Sequence, residues 1–362
     1  MWKVFILLYF IIHDCSGYKR NFNRISSRPR FVSNKETPSN MWKLVSKPLK
    51  EEARKWFIRR AIIKGIDWYN ITNKYKGAQV FSEILKLKQE LQNITMNYPE
   101  YFLQPFHGYD DGNMNWDAAQ ELEAASLSMS ANYWKNVCVR DSVSWVRNNI
   151  TNNIKYYVNK YNPNLQLDYI LDVGSSGGIS TEYLCEGFPE SKRVYGLDLS
   201  PYFVAVSAYR AQEANNMKVQ YVHENAEKTS FEDESFELIV CNFFFHEVPY
   251  NATTRIINEL YRILKYDGVL AIVDLDPDKV RNNLVLNEFR KWAFEVTEPH
   301  IYQYYQNNMS ETLSMYNFDN VTKVENDPIN GIWFGIKSNK TCDKNDVEHC
   351  EGDCGEDCCL DE

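Results

Sequence analysis

From Asn164 onward the chain alternates short apolar runs with amphipathic ones. This order leaves few folds open, because a strand, a covering helix and a second strand build a parallel sheet with helices on its faces. The strands read as Tyr169 to Val173, Val194 to Leu199, Val219 to Glu224, Phe236 to Phe244 and Val269 to Leu275. Helices are expected over Gly178 to Gly187, Pro201 to Asn215 and Ala252 to Leu264. Ser200-Pro201 opens the second of these with a capping side chain and a ring whose φ already suits the first helical position. A last pair, Val321 to Glu325 and Gly331 to Lys337, is joined by residues 326–330, too few for a parallel crossover. That pair is expected to be an antiparallel hairpin.

Upstream, apolar residues recur at helical spacing from about Leu49 to Leu91, predicting two helices broken around Asn73 to Gly77. An aromatic, turn-rich segment from Tyr98 to Asn113 follows, read as a packed connector or a lid over a pocket. A single helical run from Trp116 to about Val158 completes this part. Residues 1–17 have the form of a signal peptide: a short basic start, an apolar core from Val4 to Ile12, and a small-residue exit at Cys15-Ser16-Gly17. Tyr18 to Lys50 holds nine basic residues against Glu36 alone, which is transit-peptide composition. Together they predict a bipartite leader for a complex, apicoplast-like plastid reached by the secretory route, with the endoplasmic reticulum or secretion as the alternative. The expected organisation is a signal peptide at 1–17, a basic transit-like segment at 18–48, a helical extension at 49–160, a sheet domain at 161–338 and an acidic tail at 339–362. Once the leader is removed, no apolar run is long enough to span a bilayer.

Charge narrows the partners. The formal net charge is -9, but the first 40 residues hold seven Lys and Arg against two acids, so the remainder stands at -14. An acidic body of this kind argues against a nucleic-acid partner. The tail carries Cys342, Cys350, Cys354, Cys358 and Cys359 at a spacing that matches no standard zinc framework; it reads as a disordered acidic tail, with a metal or redox role as the alternative, and no metal site is assigned. Cys138, Cys185 and Cys241 sit singly on apolar elements and read as core residues.

The chemistry gathers at Leu171-Asp172-Val173-Gly174-Ser175-Ser176-Gly177-Gly178-Ile179-Ser180-Thr181, where the first strand turns into a helix. Glycines there let a ligand approach backbone N–H groups at a helix start. The dinucleotide fingerprint fails, since Ser176 and Ile179 stand where glycine is required. Asp198 closes the second strand, where a carboxylate can accept both hydroxyls of a ribose.

These residues resemble the class I S-adenosylmethionine-dependent methyltransferase family. Asp172 to Gly178 matches its glycine-rich motif, Gly196 to Ser200 its acidic motif, Asn225-Ala226-Glu227 its adenine-contacting segment, Cys241 to Pro249 its fourth-strand motif, and Leu264 to Leu270 its turn into the fifth strand. Within the family the chain looks most like the ubiquinone/menaquinone-biosynthesis type and its plastid relatives, through Asn225-Ala226-Glu227, Phe245 to Pro249 and Val273 to Pro277. The resemblance implies an α/β fold, a Rossmann-like seven-stranded sheet in the order 3-2-1-4-5-7-6 with the last pair antiparallel. It implies S-adenosyl-L-methionine as cofactor, contacted by Asp172, Gly174, Ser175, Gly178, Asp198, Leu199, Asn225, Ala226 and Asn242. Ser176 departs from the family, which usually has glycine there.

Methyl transfer from a sulfonium depends mainly on proximity and alignment, with a base needed only where the acceptor has a proton to lose. His246, at the carboxyl end of the fourth strand, is the candidate catalytic base, the alternative being a wall residue with satisfied hydrogen bonds. Phe243, Phe244 and Phe245 are expected to line an apolar acceptor pocket, with alternate strand positions facing away from it, and Pro277 to Asn308 to cover it. The expected activity is methyl transfer to a small or lipophilic acceptor, with an aromatic or prenylated ring in view. A non-catalytic methyltransferase-like binding or assembly factor is the alternative, and a nicotinamide-dependent oxidoreductase a further one. Oligomeric state is not legible in the sequence.

Overall fold

Leu264 to Leu275 forms the longest strand and the pivot of the sheet, parallel to one neighbour and antiparallel to the other. The structure is a computed structural model and describes residues 40–131, 133, 137–284 and 298–337. The signal peptide, most of the transit-like segment, the cysteine-bearing tail and the middle of the expected cover, with Trp292 and Phe294, lie outside the described residues. The chain divides into two compact units, Met1–Leu44 and Val45–Glu362, and the description below concerns the second.

Seven strands make one sheet: β1 (Tyr169–Val173), β2 (Arg193–Asp198), β3 (Val219–His223), β4 (Phe236–Asn242), β5 (Leu264–Leu275), β6 (Phe318–Glu325) and β7 (Asn330–Lys337). Their order is β3-β2-β1-β4-β5-β7-β6, as expected. β1 to β5 run parallel, and β7 lies antiparallel between β5 and β6. Helices α1 (Asn40–Ile63), α2 (Trp68–Asn73), α3 (Ala78–Leu91), α4 (Trp116–Ser130) and α5 (Val139–Tyr161) precede the sheet. Within it come α6 (Ile179–Gly187), α7 (Pro201–Glu213), α8 (Tyr250–Ile263), α9 (Pro277–Leu284), α10 (Ile301–Gln306) and α11 (Met309–Met315).

Alternation along the central strands sends side chains to two cores. Leu171, Val173, Ile239, Cys241 and Ile272 pack with Ile256, Leu260 and Ile263 of α8 on one face. Ile170, Val240 and Val273 pack with Val146, Ile150 and Ile154 of α5 on the other. Tyr157 of α5 stacks on Phe334 of β7 with ring centroids 4.4 Å apart. The upstream helices join this body through α3, whose Ile84 and Leu87 meet Phe203 and Val206 of α7. Arg210 of α7 adds a polar tie, gripping Glu182 with two nitrogens at 2.9 and 2.7 Å and reaching Glu123 of α4 at 2.8 Å.

Several boundaries differ from the expectation. The stretch from Leu49 to Leu91 holds parts of three helices, because Gly65, at φ +88°, ends α1 before Trp68 starts α2. The run expected from Trp116 to Val158 is two helices, broken between Ser130 and Val139. β4 ends at Asn242 rather than Phe244, since Phe243 turns to φ +56°. Leu264 to Gly268, expected as a turn, belongs to β5, with a register irregularity against Phe236 and Leu238. Cys185 and Cys241 are buried as expected, whereas Cys138 is exposed just before α5.

Candidate active site

All five parallel strands end along one edge, and the glycine loop turns there. Gly174 and Gly178 hold φ of +68° and +83°. At Gly178 a side chain is also excluded by space, because a Cβ would stand 2.3 Å from the Tyr221 hydroxyl. Ser176 takes φ +50°, a conformation glycine adopts freely and serine only at a cost of about 1 kcal/mol. Its N–H then points at Asp198 and donates to Oδ2 at 2.8 Å.

The two acids of the loop do different work. Asp172 is fully buried; its Oδ2 accepts the hydroxyls of Ser180 and Thr181 at 2.6 and 2.7 Å, and its Oδ1 accepts Asn242 Nδ2 at 3.1 Å. It therefore fastens the first turn of α6 and the end of β4 to β1, and shapes the loop from beneath. Burial raises its pKa against those three hydrogen bonds. Asp198 stands at the end of β2 and accepts N–H groups of Ser200 and Ser176. Burial pushes its carboxyl up to about 6 in spite of these donors.

Around the loop several polar atoms are buried with no hydrogen-bond partner: Ser175 Oγ, Asn242 Oδ1, Asn113 Oδ1 and Arg147 Nη1. Buried polar groups are rarely left so, and orphans gathered at one edge mark where a polar ligand would complete them. Arg147 comes from α5, its guanidinium 5.1 Å above the Phe243 ring, and burial lowers its pKa while the charge of Asp172 opposes that shift. Asn225 spends its side-chain oxygen on the Glu227 N–H in a tight turn, leaving one lone pair. Ala226 is buried in the core, and the half-buried Leu199 gives its carbonyl to His223 Nε2.

The segment from Tyr98 to Asn113 lies across these strand ends. Tyr101 donates to Glu227 at 2.6 Å, the Asn113 carbonyl accepts the Ser200 hydroxyl at 2.6 Å, and His107 Nε2 stands 3.2 Å from Glu298 and 3.6 Å from Glu247. It forms a strap packed over the edge, which suits both the connector and the lid reading.

His246 lies in a short turn, Phe245–Glu247, and Asp274 at the end of β5 holds it. One Asp274 oxygen accepts the imidazole Nδ1–H at 2.7 Å, the other the backbone N–H groups of Phe245 and His246. Burial alone would lower the pKa of this imidazole, but the charge and hydrogen bond of Asp274 raise it to about 9. At neutral pH His246 is thus an imidazolium, and it accepts a proton only above about pH 9. The three phenylalanines diverge: Phe243 faces Arg147, Phe244 covers Gly174, and Phe245 is 1% exposed inside the core, so the expected common aromatic wall reduces to Phe244.

The raised His246 makes a pH prediction. A group whose folded pKa exceeds its unfolded value of about 6.5 stabilises fully below that value, and the contribution fades as pH rises through the folded one. Chemical denaturation should show stability falling between pH 7 and about 9, with His107, also raised, contributing in the same sense. His246→Gln should flatten the slope, and an unchanged slope would rule out the Asp274 pairing.

Residues 171–272 match a family described as a methyltransferase domain. Over that stretch the chain is similar to methyltransferase domains. The resemblance drawn from the five motifs is thereby borne out, and the domain's matched span holds both loop acids, Asn225, Asn242 and His246. A demethylmenaquinone methyltransferase of Listeria welshimeri is 28% identical over 128 residues, 35% of this chain and 53% of that protein. An uncharacterised methyltransferase of Bacillus subtilis, YcgJ, is 29% identical over 105 residues, 29% of this chain and 40% of that protein. The chain thus spans about half the length of the Listeria relative and a smaller share of the Bacillus one. The solved structure of human N-acetylserotonin methyltransferase in complex with S-adenosylmethionine aligns at 13% identity and a TM-score of 0.46, over 74% of this chain and 70% of that one. Arg147 and the whole strap lie outside the matched span. Among the described residues no group of three or more His, Cys, Asp and Glu side chains is placed to hold a metal ion, and no helix is long and apolar enough to cross a membrane.

Proposed function

We propose that the chain binds S-adenosylmethionine at this edge and transfers its methyl group to a small acceptor. The observation that carries the reading is the set of unpartnered buried atoms, Ser175 Oγ, Asn242 Oδ1, Asn113 Oδ1 and Arg147 Nη1, around a loop and acid that match a methyltransferase domain. The donor set fits a nucleoside carrying an amino-acid tail. Asp198 would take the ribose hydroxyls, the free lone pair of Asn225 the adenine amino group, and Leu199 and Ala226 the adenine faces. Arg147 would meet the tail carboxylate, while Ser175 and Asn242 accept from its amino group. Gly174 and Gly178 keep the loop backbone open to it, and Asp172 acts through that loop. The bound cofactor supplies an electrophilic methyl on sulfur; the strap excludes water and holds the acceptor in line.

For the acceptor, a small lipophilic or aromatic molecule is supported by Tyr101, Phe244 and Tyr305, which pack against a core cluster that includes Tyr304, and by the likeness to the Listeria demethylmenaquinone methyltransferase. Calorimetric titration of the full chain should show micromolar binding of S-adenosylmethionine and none of a nicotinamide dinucleotide. A folded chain that binds neither would turn the reading to a non-catalytic assembly factor, and preferential dinucleotide binding to an oxidoreductase.

We also infer from the basic, acid-poor leader that the protein is delivered to a complex plastid. A reporter fused behind residues 1–48 should collect in that organelle in a host that has one. A secreted or reticular reporter would overturn the assignment.

A further inference from the structure

Beside His246 three residues far apart in sequence converge: His107 from the strap, Glu247 from the turn after β4, and Glu298 ahead of α10. Glu298 is 4% exposed; one oxygen faces His107 and the other, Oε2, is buried without a partner. His300 is 9% exposed, and its Nε2 is likewise buried and unpartnered. A carboxylate oxygen in that position calls for a donor that the described residues do not supply.

The charges define the donor. Asp274 pairs with His246, while His107 faces both glutamates, so the two carboxyl groups share one imidazole and acid groups predominate. Asp198 and Glu298 both lie within electrostatic reach of Glu247 and add to the negative field. Aromatic rings complete the surroundings: Tyr101 stands edge-on to His300 at 6.0 Å, and Tyr304 lies 6.3 Å from His246. Acid groups among aromatic faces suit a cationic nitrogen.

We propose, resting on the methyl-transfer reading above, that the acceptor is a small amine, recognised as its ammonium form by Glu247 and Glu298. The charge flow of the reaction favours the same class. When nitrogen attacks, an N–C bond forms, the S–C bond breaks with its electron pair left on sulfur, and the positive charge passes from sulfonium to nitrogen. The Glu298 carboxylate on the acceptor side stabilises that charge as it arrives. An anionic oxygen or carbon acceptor would be repelled on entry and would leave no charge for it to hold. The amine must shed one proton before attack, and Glu247, which burial pushes up to about 7, is placed to accept it.

The test uses the full chain loaded with S-adenosylhomocysteine and two probes of one shape, phenethylamine and 2-phenylethanol, compared by calorimetry. The amine should bind about tenfold or more tightly, as a charge-assisted hydrogen bond to a buried carboxylate implies. Glu298→Gln should erase the preference while S-adenosylhomocysteine still binds. Should that variant fail to fold, Glu247→Gln serves, with at least a threefold loss of preference expected. Equal binding of the two probes, stronger binding of the alcohol, or no amine binding at millimolar concentration would overturn the proposal while cofactor binding persists. Loss of cofactor binding in the unaltered chain would instead sink the methyl-transfer reading itself.

Discussion

Replacing Asp198 by alanine should weaken S-adenosylmethionine binding by about 100-fold or more, enough to remove it from a calorimetric titration. The carboxylate is the acidic group at the end of β2, and two charge-assisted hydrogen bonds to ribose hydroxyls are together worth several kcal/mol. The same substitution should cost little stability. It strands the N–H groups of Ser176 and Ser200, which the carboxylate now accepts. It also removes a buried charge whose desolvation already drives its pKa to about 6, and the two effects oppose each other. A folded Asp198→Ala protein with undiminished binding would show that the ribose lies elsewhere.

Protonation adds a further expectation to that experiment. An acid with a folded pKa near 6 is partly neutral in mildly acidic buffer, and a neutral carboxyl has fewer acceptor sites for two hydroxyls. Cofactor affinity of the unaltered chain should therefore fall as pH drops below about 6, and the alanine variant should lack that dependence.

What could be read from the sequence divides along a physical line. β1 is bounded where its apolar run is bounded, and Ser200 caps α7 by accepting the Phe203 N–H, with Pro201 in the first turn. These are local signals, set by side-chain alternation and by cap chemistry within a few residues. The hairpin of β6 and β7 was legible because its connection is too short for any other path. The breaks inside the upstream helices were less so. Gly65 marks one, but the interruption after Ser130 follows no proline or glycine.

The site splits the same way. The glycine loop, Asp172, Asp198 and Asn242 are close to strand ends and were placed by motif. Asn113, Arg147, His107 and Glu298 reach the edge from segments that carry no motif, and His107 of the helical extension meets Glu298 late in the sheet domain. A basic residue on a long amphipathic helix, such as Arg147 on α5, looks like any solvated charge until the fold turns it inward. The turn richness of Tyr98 to Asn113 was the one usable hint, since a connector dense in aromatics has to pack on something. Phe243 to Phe245 show the opposite error. Three consecutive aromatics suggest a wall, but the positive φ at Phe243 ends the strand and sends each ring a different way.

The largest stability effect should come from Asp172, and its two obvious substitutions should separate folding from binding. Asp172→Ala leaves the hydroxyls of Ser180 and Thr181 and the Nδ2 of Asn242 without their acceptor in a fully buried site. Stranding them should cost about 3 kcal/mol or more in chemical denaturation, even after the desolvation of the lost carboxylate is returned. Asp172→Asn keeps one oxygen for the two hydroxyls but turns a second donor toward Asn242 Nδ2. That clash has a ready relief: the Asn242 amide can rotate by half a turn and present Oδ1, which is unpartnered in the unaltered chain. The asparagine variant should then lie within about 1 kcal/mol of the parent in stability, because the hydroxyls keep their acceptor and the flip only exchanges an unpartnered oxygen for an unpartnered N–H pair. Its cost should fall on cofactor binding, weakened about tenfold, because the rotation takes the Asn242 oxygen out of the site and puts an N–H pair in its place. Equal destabilisation by alanine and asparagine would show that the charge of Asp172 holds the loop. A stable asparagine variant with full affinity would show that Asn242 Oδ1 faces no ligand.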